Sequence, residues 1–153
     1  MMPTTARRYA TGLWLLLGLF AFRILAQLAQ CVSPVPWLPP FDAWQGSGLP
    51  YPALVGAQAI ILVLMWRAAW RFASGRVAPH RRTGSWYLTA GAIYFATMLL
   101  RLIAGAAHLS SSRWFAAVLP ALFHLVLASA VLIVGTSHWR SGPPSSPTDC
   151  AHR

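Results

Sequence analysis

The chain has 153 residues, 57% of them hydrophobic and only 9% charged, where soluble domains carry roughly 25% charged residues, so this is the composition of a membrane protein. Its twelve basic residues are all arginine, and its only acids are Asp42 and Asp149, which excludes paired-acid catalysis, carboxylate-bridged di-iron sites and proton-relay acids in the bilayer. The arginines flank apolar segments instead of lining one hydrophilic face, which excludes a nucleic-acid surface.

Residues 11–30 form the first segment long and apolar enough to cross a bilayer, which takes about 20 residues. LAQC at 28–31 has the outline of a lipoprotein cleavage site, but Gln30 stands where a small residue belongs and Arg23 interrupts the apolar run. The segment is therefore read as a retained span. Residues 32–50 follow as a loop with prolines at 34, 36, 39, 40 and 50 and with Trp37, Phe41 and Trp44 among them. Proline discourages helix, so an extended, ordered cap with one short helix over FDAWQ is expected.

The second span covers 51–70 and opens on Tyr51-Pro52. A basic loop over 71–85 carries Arg71, Arg76, Arg81 and Arg82; it sets orientation and meets anionic lipid at around 1 kcal/mol per arginine. The third span is placed at 86–108 and the fourth at 114–138. The tail, 141–153, has no apolar periodicity and is expected to be disordered. Residues 1–140 thus read as one all-α domain, a polytopic four-helix transmembrane bundle.

Arg7, Arg8, Arg140 and Arg153 join the basic loop on one side, whereas the other side has only Arg113. The positive-inside rule then puts both termini in the cytoplasm, N-in and C-in, in a cell (inner) membrane. Trp37, Trp44 and Trp114 would mark the outer interface, and Trp66, Trp70, Trp86 and Trp139 the inner one.

Polar residues inside the spans carry the functional signal. Arg23, Gln27 and Gln30 are spaced i, i+4, i+7 and share a face of the first helix. Tyr94, Arg101 and His108 recur every seven residues on the third, with Thr97 between them; Gln58 is on the second and His124 on the fourth. A rise of 1.5 Å per residue puts Arg23 and Arg101 about 12 Å, Gln58 about 10 Å and His124 about 15 Å below the outer ends of their helices. Four helices therefore bring polar groups to one level of the outer leaflet. Glutamine and threonine suit plain bundle cohesion. Two arginines without an intramembrane acid do not, because a charge at that depth costs about 2.5–3.5 kcal/mol. The expected ligand site is Arg23, Gln27, Gln58, Arg101, His108 and His124 beneath a cap of Trp37, Asp42 and Trp44. Arginine's planar fork suits a phosphate, a carboxylate or a quinone carbonyl.

Other chemistries fit less well. Bis-histidine haem needs two facing histidines at one depth, but His124 lies about 12 Å deeper than His108, and the facing helix has no pair for His124 and His138. Haem is not expected, nor is a metal centre. The disulfide-forming membrane oxidoreductases need CxxC pairs, whereas Cys31 and Cys150 fall on opposite sides. A hydrolase built from His108, Ser110–Ser112 and Asp42 is outweighed by the ordinary reading of SSS as a turn. The sequence thus favours a non-catalytic binding or accessory protein that holds a lipid, a quinone or a similar molecule with an acceptor-rich head. The alternative is a structural subunit whose arginines dock a membrane-protein partner, a second copy or a bound lipid. An anion channel would need polar residues in the inner half, which is nearly all apolar.

Overall fold

A computed structural model of the chain describes residues 4–44, 50–107 and 118–141, without the side chains of 4–6 and 42. Four long helices, each apolar enough to cross a membrane, make up nearly all of it. They are α1 (Thr4–Val32), α3 (Tyr51–Ala73), α4 (Arg81–Ala106) and α5 (Val118–Ser141), with a single-turn α2 (Phe41–Trp44) in the loop after α1. The segment between α4 and α5, including His108, Ser110–Ser112, Arg113 and Trp114, lies outside the described residues, as does the tail from residue 142.

Local chemistry accounts for the helix ends. Pro50 caps α3, its carbonyl accepting from the amides of Ala53 and Leu54 at 3.0 and 3.1 Å, and Pro52 sits in the first turn, where its missing N–H costs nothing. At the other end Gly75 takes φ 67°. There the Gly75 amide bonds the Phe72 carbonyl and the Arg76 amide bonds the Arg71 carbonyl, at 3.2 and 3.0 Å, the paired bonds of a Schellman stop. α4 begins at Arg81, five residues ahead of the apolar run that marks it in the sequence. Its polar first turns have no apolar signal but are wound all the same, so only residues 74–80 join α3 to α4.

In space the helices neighbour one another in the order α3, α1, α5, α4. The α4–α5 pairing is the most extensive, and glycine is the reason. A β-carbon on Gly84 would lie 2.5 Å from the Trp139 amide nitrogen, and one on Gly135 would lie 2.8 Å from that of Leu88. Backbone meets backbone at both places, which no larger residue would allow. α3 and α4, at the two ends of the order, leave a cleft between them.

One stripe of α1 organises the interior. Ala10, Leu13, Leu17 and Phe20 follow the 3–4 spacing of a buried helix face and pack with Met65, Ala69 and Phe72 of α3 and Ala130 of α5. The same stripe continues as Arg23, Gln27 and Gln30, all buried. The seam is apolar over the arginine-rich end of the bundle and polar over the end that carries the cap. Outward faces display Leu15, Leu19, Leu25, Ile60, Val63, Ile93 and Leu100, a surface suited to lipid.

Candidate functional site

The polar half of the α1 seam faces the cap, α3 and α5. Arg23 keeps only 6% of its surface exposed. Its Nη2 donates to the Trp44 carbonyl at 3.2 Å, and its guanidinium carbon lies 5.5 Å from the centre of the Phe123 ring. Trp44 is buried at 3%, stacks on Phe123 with centroids 6.1 Å apart, and donates through Nε1 to the Pro39 carbonyl at 3.0 Å. The arginine is thus enclosed by one carbonyl and one aromatic face, two neutral partners that favour a cation.

Gln30 holds the cap. Its Nε2 donates towards the Val35, Leu38 and Pro39 carbonyls at 2.9–3.0 Å, and its Oε1 accepts the Val35 amide at 2.9 Å. A loop interrupted by proline has few internal hydrogen bonds of its own, so this one side chain gathers three of its carbonyls. Gln30 belongs to the fastening of the lid, a cohesive role its amide chemistry suits.

Gln58 of α3 donates through Nε2 to Gln27 Oε1 at 3.2 Å, with both side chains buried. Across the interior, Tyr94 of α4 and His124 of α5 share a 2.6 Å hydrogen bond between Oη and Nδ1. Arg101, one heptad beyond Tyr94 and so on the same helix face, is 4% exposed. Both guanidiniums, Arg23 and Arg101, act electrostatically on His124. Measured from the observed helix ends, Arg23, Gln58 and Arg101 lie about 14, 10 and 8 Å deep, within about one turn of a common level.

Two donors complete the inventory. Arg23 Nε and Gln27 Nε2 are buried and have no hydrogen-bond partner among the described residues. An unmade hydrogen bond on a buried donor costs about 1–3 kcal/mol, and most buried polar groups avoid it. Both orphans are N–H groups on the same helix face, so what they lack is an acceptor. None of the four long helices contains an Asp or Glu that could supply it.

The remaining expected site residues are distributed as follows. Trp37 is 84% exposed and does not cover the polar layer, whereas Trp44 does. Thr97 points outward and returns its hydroxyl to the Ile93 carbonyl at 2.8 Å, the usual resting state of a helical threonine. His108 and the side chain of Asp42 lie outside the described residues. Tyr94, noted in the sequence for its face but not among the expected ligands, joins the site, and so does Phe123. The seven-residue spacing to Arg101 already put Tyr94 on that face, but an aromatic next to a histidine on an apolar helix gives no such signal for Phe123. Among the described residues no three His, Cys, Asp or Glu side chains gather as metal ligands would. Comparison of the chain with protein-family models, curated proteins and solved structures found no match.

Proposed function

We propose that the protein is a non-catalytic membrane binding or accessory protein that holds a lipophilic molecule by an anionic or acceptor-rich head, a lipid or quinone, in the polar layer under the cap. The observation that carries this reading is the pair of buried, unpartnered donors, Arg23 Nε and Gln27 Nε2, beside a guanidinium whose hydrogen bond goes to the Trp44 backbone. An oxygen-rich head entering there would take over the place of the Trp44 carbonyl and meet Nη2, Nε and the Gln27 amide together. Arg101 and His124, both turned into the bundle, would supply further polar groups to the same layer. The positive-inside rule supports an orientation with the cap outside and both termini in the cytoplasm.

A structural subunit docking a partner through the same arginines is the second reading. Both orphan donors are sealed inside the bundle, beyond the reach of a protein packed on its exterior, which favours the small ligand. The test is purification in mild detergent, followed by mass spectrometry and a visible spectrum of whatever accompanies the protein. A lipid or quinone retained by the native chain and lost from Arg23→Gln supports the proposal. A stoichiometric protein partner with no small molecule overturns it.

A further inference from the structure

A second polar site lies at the opposite end of the bundle. α3 and α4 stand apart there around a cleft of about 420 Å³, far more than the about 30 Å³ that one water occupies. Arg67 and Arg71, one turn apart on α3, form one wall; Thr83 and Tyr87, one turn apart on α4, form the other; His138 of α5 closes the back. Leu64 continues the lining towards the bilayer interior.

The donors converge in type. His138 Nδ1 accepts the His80 amide at 3.2 Å, which places the neutral ring's proton on Nε2. Its ring is held between Phe72, edge-on at 6.4 Å, and Tyr87 at 6.3 Å. Two guanidiniums, two hydroxyls and an imidazole thus line the space. No acid lies on the helices around it; the chain's two carboxylates belong to the cap and the tail. By helix rise Arg67 and Arg71 are about 24 and 30 Å from the cap end of α3, the depth at which a bilayer about 30 Å thick meets its headgroups.

We infer that this cleft is a built site for a phosphate ester, presented by the headgroup of an anionic phospholipid. Arg67 and Arg71 would grip the phosphate oxygens, Thr83 and Tyr87 would donate from the other wall, and the acyl chain would leave past Leu64. Depth and the apolar side of the lining favour a lipid over a soluble phosphate. The site is independent of the one under the cap, and so is its test.

The experiment places the purified protein in phosphatidylcholine nanodiscs with and without phosphatidylglycerol and counts retained lipid by native mass spectrometry. Arg67→Gln and Arg71→Gln should each weaken phosphatidylglycerol retention about fivefold. Thr83→Val, which changes no charge, should weaken it by a similar factor. Arg76→Gln removes an exposed arginine that does not line the cleft and should leave retention unchanged. These positions are exposed or half-buried, so the variants are expected to fold. Equal losses from Arg76→Gln and Arg71→Gln, with Thr83→Val silent, would reduce the effect to diffuse attraction and overturn the site. Displacement of the lipid by inorganic phosphate would overturn the assignment to a lipid.

Discussion

Replacing Arg23 by glutamine removes a charge whose energetics can be followed from its surroundings. Burial within the span costs about 2.5–3.5 kcal/mol, and the unpaired Nε adds about 1–3 kcal/mol. Against this stand one charge-assisted hydrogen bond to the Trp44 carbonyl, about 1.5–3 kcal/mol, and the Phe123 ring face, up to about 2 kcal/mol where desolvated. At their midpoints the two sides come within about 2 kcal/mol of each other, the cost being the larger. Unfolding of the ligand-free protein in a denaturing-detergent titration should therefore change by less than about 2 kcal/mol in Arg23→Gln, in either direction. Ligand retention should behave differently. Losing charge-assisted bonds to a bound head costs about 1.5–3 kcal/mol, a weakening of about ten- to one-hundred-and-fifty-fold. Arg101→Gln should do the same, and the double variant should lose little more than either alone, because both arginines act on one group. Lysine should rescue poorly if the grip is bidentate. A loss above about 3 kcal/mol of ligand-free stability, with retention intact and additive effects, would show the arginines to be structural and refute the reasoning.

Three further outcomes follow from the packing and the polar seam. Gly84→Ala puts a methyl 2.5 Å from the Trp139 backbone, where nothing flexible can yield, and should cost more than about 1–3 kcal/mol in the same titration; Gly56→Ala, with nothing within 4 Å, should stabilise by up to about 1 kcal/mol. Gln58→Leu strands the Gln27 oxygen and should destabilise by about 1–3 kcal/mol, whereas the Gln27→Leu, Gln58→Leu double variant should recover much of that. Cys31 is exposed and should react with an impermeant thiol reagent on intact cells, with Cys150 reacting only after permeabilisation; the reverse pattern would invert the orientation.

What could be read from the sequence depended on how local each cause is. Four apolar runs announce four helices because lipid-facing side chains must be apolar all round, and the i, i+4, i+7 spacing of Arg23, Gln27 and Gln30 places them on one face by helix geometry alone. The start of α4 could not be read this way, since Arg81 to Ser85 are helical by continuation of the apolar helix behind them, not by hydropathy. Nor could the choice between Trp37 and Trp44, which turns on how a proline-interrupted loop folds back over Phe123, some 80 residues further on. Thr97 shows the limit of face arguments: at three residues from Tyr94 and four from Arg101 it falls within reach of their face, yet it looks outward. The close approach of Gly84 to Trp139 has no signature in a single sequence, because a glycine in an apolar helix reads equally well as a gap.

The partners of Arg23 also reach the membrane at different times. Synthesis runs from the N-terminus at about 5–20 residues per second, and Phe123 is made a hundred residues after Arg23. Trp44 is only 21 residues behind it. An arginine entering lipid alone would tend to drag α1 back towards water. The cap can relieve that while α4 and α5 are still unmade, because its carbonyl arrives with the first hairpin and Gln30 fastens the loop that carries it. The loop that closes the site in the finished protein therefore doubles as an early escort for its costliest residue, and a nascent chain ending soon after α3 should already hold α1 across the bilayer.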